Sequence, residues 1–201
     1  MWRSGDRWWY GARMKIAKNA ALIVIDVQKG FDDPRMGRRN NPQAEKNIAR
    51  LLEAWRASGR PIIHVRHDSM EPGSVLGPGH AGNEIKAEAQ PREGEPVISK
   101  HVNSAFIGTD LEQRLRSAGQ DSVVIVGLTT DHCVSTTARM AGNLGFKTAV
   151  VADATAAFDR QSYDGSVVPA AEIYRGALAS LHGEFATVTT TESVLEGIRS
   201  S

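Results

Sequence analysis

Cysteine is almost missing from this chain: Cys133 is the single one in 201 residues. One thiol excludes an internal disulfide, so the core has to hold the fold, and it suits a reducing, cytoplasmic setting. No stretch approaches the roughly 20 consecutive apolar residues of a membrane helix, and no basic start leads into an apolar run of the secretory kind. Neither charge dominates, with 24 Lys and Arg against 23 Asp and Glu. No overall field therefore draws the protein to nucleic acid or to an anionic membrane. A Gly-x-Gly-x-x-Gly turn is absent after the first apolar strand, which excludes the common dinucleotide-binding arrangement. Internal repeats and low-complexity tracts are absent too. What is present, 41% apolar and 23% charged residues, is the composition of one globular domain with a full core and a small-molecule partner.

Hydrophobic patterning organises that domain. AALIVIDV, residues 20–27, is an unbroken apolar run rich in β-branched residues until Asp26, as expected of a strand covered on both faces. NPQAEKNIARLLEAWRASG then sets Ile48, Leu51, Leu52 and Trp55 on one helical face and stops at Gly59. PIIHV, EPVISK, DSVVIVG, KTAVVAD and FATVTT read as further strands. Helical patterns fall between them: one from Thr109, a plausible N-cap, one from Thr130, one over residues 170–183 and one at the end. Strands alternating with helices imply a three-layer α/β/α domain, with a mostly parallel sheet of about six strands and helices on both faces. Two segments break the rhythm. Residues 68–95, rich in Gly and Pro, read as a lid or binding loop. Residues 1–19 read as an arm preceding the domain at residues 20–201; Trp2, Trp8 and Trp9 make it either a disordered extension or a contact for a neighbouring subunit.

Ligands of open parallel sheets bind at the carboxyl ends of the strands. That places Asp26, Lys100 and the turn leading to Cys133 together. A lone thiol is more often an inert core residue, but Cys133 lies three residues after Thr130, at the start of a helix. Free N–H groups and the helix dipole there are expected to lower its pKa and to stabilise an oxyanion. Asp26, an acid closing an apolar strand, is the candidate base. Its replacement by Asn is expected to raise the pH at which Cys133 is alkylated. Lys100 could pair with both.

LIVIDVQKGF, VISKHVNSAFIGTDLEQRLRSAG and VIVGLTTDHCVSTTARMAGNLGFKTAVVADAT, in that order, resemble the isochorismatase-like cysteine hydrolases, a superfamily that includes nicotinamidases and N-carbamoylsarcosine amidases. The resemblance implies an Asp26, Lys100 and Cys133 triad, a cis peptide at Leu128–Thr129, an oxyanion hole from the N–H groups of Thr129 and Cys133, and a homodimer or homotetramer. It also implies hydrolysis of a C–N bond through a thioester, without a cofactor. The metal-binding nicotinamidases carry an Asp-x-His signature where this chain reads HVRHDSMEPGS, and His64, His67 and His80 lack that spacing; no metal is expected. Phe31, Arg66, His67, Phe106 and His132 flank the triad strands or the helix start and are candidates for the substrate pocket. An isochorismatase-type vinyl-ether hydrolase and a catalytically retired binding module are the alternatives. HCVSTTAR also has the His-Cys-x5-Arg spacing of cysteine phosphatases, but it offers no glycine between Cys133 and Arg139 to turn the amides inward.

Overall fold

The apolar run of residues 20–27 becomes strand β1 (Ala21–Ile25), all five residues of which are buried. A computed structural model describes residues 16–200; the tryptophan-bearing part of the arm, with Trp2, Trp8 and Trp9, lies outside the described residues. After β1 come α1 (Ala44–Ala57), β2 (Ile62–His67), β3 (Val97–Lys100), α2 (Leu111–Ser117) and β4 (Ser122–Leu128). A π-helical turn, Thr130–Val134, then runs into α3 (Ser135–Asn143), and β5 (Lys147–Ala156) follows. The chain ends with a hairpin of β6 (Arg160–Gln161) and β7 (Val167–Val168), then α4 (Ala170–Leu181), β8 (Thr187–Thr189) and α5 (Thr191–Arg199).

Six strands form one parallel sheet in the order β3-β2-β1-β4-β5-β8. Side chains of β1 alternate between two cores, as the pleat requires. Leu22 and Val24 meet Ile48, Leu51, Leu52 and Trp55 of α1 and Val194 of α5. Ala21, Ile23 and Ile25 meet Leu111 and Leu115 of α2, Ala138 and Ala141 of α3, and Leu178 and Leu181 of α4. The fold is thus the expected three-layer α/β/α sandwich, and each buried Leu or Ile contributes about 1.5–3 kcal/mol to it. Trp55 is fully buried, and its indole N–H donates to the Ala20 carbonyl at 3.0 Å, which satisfies its one polar atom.

Three local features depart from the sequence expectation. β5 does not stop at Asp153 but continues to Ala156 through an irregularity opposite Ile125 and Gly127. Asp153 accepts there from the N–H and hydroxyl of Thr191 at 2.7 and 2.9 Å, so the acid serves the start of α5 instead of ending the strand. The helix after β4 opens as a π turn with Thr129, not Thr130, at its N-cap; the Thr130 hydroxyl bonds Thr155 at 2.9 Å instead. The segment over residues 68–95 contains two 3-10 turns, Ala81–Asn83 and Ala87–Ala89, and is fastened to the strand ends. Fully buried Gln28 bonds the backbone of His67 on both sides and the Asn83 carbonyl. Lys86 reaches Glu45 at 2.7 Å, and Asn83 donates to the Leu76 carbonyl at 2.7 Å. These bonds tie the segment to Gln28 after β1 and to Glu45 of α1.

Backbone strain is concentrated beside the strand ends. Asp26 has φ 48°, unusual for a non-glycine residue, while its N–H still donates to Val65 at 2.9 Å and so continues the ladder to β2. Gly127 has φ 124°, and a Cβ there would lie 2.0 Å from the Ile25 carbonyl oxygen. Only glycine lets β4 approach β1 at this point. Gly127→Ala should therefore cost more than about 3 kcal/mol in urea unfolding. Gly165→Ala, at φ 85° with open space around it, should cost only about 1–2 kcal/mol. Equal losses for the two variants would show that the Ile25 contact has no energetic weight.

Candidate active site

Four neighbouring strands, β3, β2, β1 and β4, deliver one side chain each to the same point. Lys100 ends β3 and His67 ends β2, and the two are register partners. Asp26 follows β1, and Cys133 lies in the π turn after β4. The Lys100 ammonium is the common neighbour. Its Nζ stands 2.7 Å from Asp26 Oδ2, and both side chains are wholly buried. Nζ also donates to His67 Nδ1 at 2.9 Å, to the Val102 carbonyl at 3.1 Å and to Cys133 Sγ at 3.3 Å. The peptide bond between Leu128 and Thr129, just before the π turn, is cis.

Burial governs the electrostatics of these groups. It raises the Asp26 carboxyl above the usual carboxylate range, against the lowering pull of Lys100, and so strengthens Asp26 as a proton acceptor. The thiol of Cys133 is pushed up to about 12, first by burial and then by the Asp26 charge, with Lys100 opposing. This corrects the expectation of a lowered thiol pKa. The helix-start effect works on a group open to solvent or facing cations, whereas this thiol is sunk in a π turn with a carboxylate opposite it. His67 moves the other way: burial, then the Lys100 charge, brings its imidazole down to about 4, so it is neutral near pH 7. Among the described residues, one group of three potential metal-ligand atoms occurs, on Asp26, His67 and Cys133, all within 4.8 Å of one another. Lys100 Nζ touches all three, so the ammonium is the cation that this set of donors holds.

Of the candidate pocket residues, His67 hydrogen-bonds directly to Lys100. Phe31 is nearly buried and stacks on Phe158 at 6.1 Å, in a small core that includes Leu128. Phe106 stacks on Phe146 at 5.8 Å and packs against the main core. Arg66 forks onto Asp68 and bonds Ser99, which commits its guanidinium away from the thiol. His132 is half exposed beside Cys133, next to Asp131 and Arg160. His64 is buried and bonded to Glu95 at 2.9 Å, and His80 Nδ1 accepts from the Gly82 N–H within residues 68–95. Arg139 lies over Phe185 and bonds Ser180, so the phosphatase-like spacing does not bring a guanidinium to the thiol.

Other neighbours were not singled out from sequence. Asn103 Oδ1 accepts from Cys133 Sγ at 3.6 Å; its place three residues after Lys100 was the one available hint. Arg160, on the β6–β7 hairpin, donates to Asp131 at 2.9 Å and to the Thr129 hydroxyl at 3.3 Å, and so braces the π turn from outside. Nothing in the spacing of Asp131 and Arg160 along the chain announces that pair.

An open parallel sheet with a buried Cys, Asp and Lys at its carboxyl edge defines a hydrolase-type site, and comparison with known proteins places it. The isochorismatase domain matches residues 20–193, and the chain belongs to the isochorismatase family. It is 49% identical over 175 residues to the isochorismatase family protein YrdC of Bacillus subtilis, covering 87% of this chain and 94% of that one. A solved structure of an isochorismatase-family protein from Chromobacterium violaceum superposes with a TM-score of 0.92 at 43% identity, over 96% of this chain and 100% of the other. A cysteine hydrolase from Pseudomonas syringae does so with a TM-score of 0.84 at 28% identity, over 94% and 96%. Nicotinamidase 3 of Arabidopsis thaliana is 29% identical over 165 residues, 75% of this chain and 84% of that one.

The Asp26 charge holds the thiol up, which reverses the expected effect of removing it. Asp26→Asn leaves Lys100 facing the thiol without its counter-ion, and the midpoint of Cys133 alkylation by iodoacetamide should fall by about one pH unit or more. Wild type should react appreciably only in alkaline solution. A midpoint that rises or stays in place in the variant would overturn this electrostatic account.

Proposed function

We propose that this isochorismatase-family hydrolase is a cysteine amidohydrolase, which cleaves a C–N bond of a small carbonyl compound through a thioester. The observation that carries the reading is the contact of Lys100 Nζ with both Asp26 Oδ2 and Cys133 Sγ inside a buried site. The likeness to a nicotinamidase and to a cysteine hydrolase supports it.

The chemistry follows from the proton affinities. Cys133 rests as a neutral thiol, so its proton passes to the Asp26 carboxylate as sulfur bonds to the substrate carbonyl carbon. The oxygen of that carbonyl becomes an oxyanion, held by the N–H groups of Thr129 and Cys133 at the head of the π turn. Collapse of the tetrahedral species breaks the C–N bond, and Asp26 returns the proton to the departing nitrogen. Water then adds to the thioester, giving one proton to Asp26, and expulsion of the thiolate yields a carboxylic acid; the Asp26 proton restores the thiol. Lys100 keeps its own protons throughout and balances whichever of Asp26 and Cys133 carries the negative charge.

Ammonia release from a panel of primary amides, ureas, carbamoyl compounds and nicotinamide tests the reading. Wild type should turn over at least one member, and Cys133→Ala should lose roughly 10⁴-fold or more in kcat. Full activity in that variant would sink the nucleophile assignment. No turnover of any C–N substrate, with cleavage of an isochorismate-like vinyl ether, would replace the amidase by the ether hydrolase.

A further inference from the structure

The Lys100 ammonium has three protons and four acceptors within reach: Asp26 Oδ2, His67 Nδ1, the Val102 carbonyl and Cys133 Sγ. How the three protons are shared decides which of the two reacting groups Lys100 supports. Two of the acceptors, the carbonyl and the imidazole, take no part in the proposed proton transfer. The other two, Asp26 and Cys133, are the partners in it.

We propose that His67 is a positioning residue: its neutral Nδ1, with the Val102 carbonyl, anchors two ammonium protons so that the third points between Asp26 and Cys133. This rests on the triad reading above. At rest the third proton lies on Cys133 Sγ, at 3.3 Å, while Asp26 Oδ2 stands 2.7 Å from Nζ as an ion pair outside hydrogen-bond geometry. As the thiol proton moves to Asp26, the carboxylic acid becomes the poorer acceptor and the sulfur, with negative charge developing on it, the better one. The third hydrogen bond then strengthens at sulfur while no proton leaves Lys100. The countercharge follows the reaction through one adjusting hydrogen bond, because the other two are fixed.

The backbone that carries the ring is held on both sides. His67 donates its backbone N–H to Gln28 Oε1 at 2.9 Å, and its carbonyl accepts from Gln28 Nε2 at 3.0 Å and from Asn83 at 3.1 Å. The charged and titratable groups that face the imidazole are Lys100, Asp68 and His101, with Asp26 and Cys133 within 4.8 Å of it. An imidazolium would aim an N–H at the ammonium, whereas the neutral ring offers a lone pair. Burial and Lys100 keep the ring in that neutral form. With Nδ1 engaged on Lys100, His67 acts through the lysine.

Three variants test this. His67→Ala and His67→Leu remove the acceptor, without and with most of the side-chain volume. His67→Asn puts an amide oxygen at the place of Nδ1. The first measurement is the pH profile of Cys133 alkylation by iodoacetamide, which needs no substrate. The second is kcat and KM on an amide that wild type turns over. Loss of the acceptor frees one ammonium proton for the thiolate, so the alkylation midpoint should fall by about half a unit or more in the Ala and Leu variants. Their kcat should drop about tenfold or more with KM changed less than about twofold. His67→Asn should stay near wild type in both measurements. Equal impairment of all three variants would overturn the proposal, as would a raised KM at constant kcat, which would make the ring a substrate contact. If one acceptor-free variant fails to fold, the other still decides against Asn. If wild type turns over no amide, the amidase reading fails while the alkylation profiles still judge His67.

Discussion

A buried ammonium organises this protein. Lys100 is wholly enclosed, and a charge so placed is tolerable only where acceptors replace the water it has lost. Four acceptors do so, from three adjacent strand ends and the turn after a fourth strand. The central position of β1 matters for this reason. It places Asp26 between the strand that brings His67 and the strand that leads to Cys133, and Lys100 arrives from the next strand out. A shift of one residue in any of these pairings would turn a side chain to the opposite face of the sheet and leave the ammonium short of a partner.

The same requirement accounts for the irregular backbone around the site. Asp26 aims its carboxylate at Lys100 from a left-handed conformation, and Gly127 must pass against the Ile25 carbonyl to let β4 close beside it. Such features persist where the surroundings over-determine them. Here the surroundings are the parallel ladder on both sides of β1, the Gln28 clamp on His67, and the Arg160 brace on the π turn. The segment over residues 68–95 belongs to the same support, since Asn83 is one of the groups that hold the His67 carbonyl.

Much of this was legible in the sequence, for physical reasons. Strands buried on both faces have to be continuous apolar runs, so β1, β2 and β4 stood out, and an acid at the end of such a run was conspicuous. Helices with one buried stripe announced α1 by the spacing of Ile48, Leu51, Leu52 and Trp55. Contacts between residues far apart in the chain were not legible. The Arg160 brace, the Thr130 to Thr155 bond and the contact of Asn103 with the thiol depend on where loops come to rest. Phe31 and Phe106 flank the triad in sequence, but each found an aromatic partner in the core. The thiol was misjudged because position along a helix can be read from sequence, whereas burial and the carboxylate facing it cannot.

That correction changes how the chemistry has to work. A thiol held up to about 12 is protonated at neutral pH, so a preformed thiolate is disfavoured. A site that kept its nucleophile ionised would carry Lys100 balanced against sulfur, with the carboxylate left over as a second negative charge in a buried space. Keeping the thiol neutral avoids that crowding: one ammonium faces one carboxylate at rest, and under the proposed mechanism the single negative charge passes through sulfur to the substrate oxygen. The number of charges in the site is the same before and after the proton moves, so the buried surroundings neither gain nor lose a net charge. A raised Asp26 basicity and a suppressed thiol acidity are then two sides of one arrangement, which fits the proposed mechanism, where sulfur loses its proton only as the bond to carbon forms.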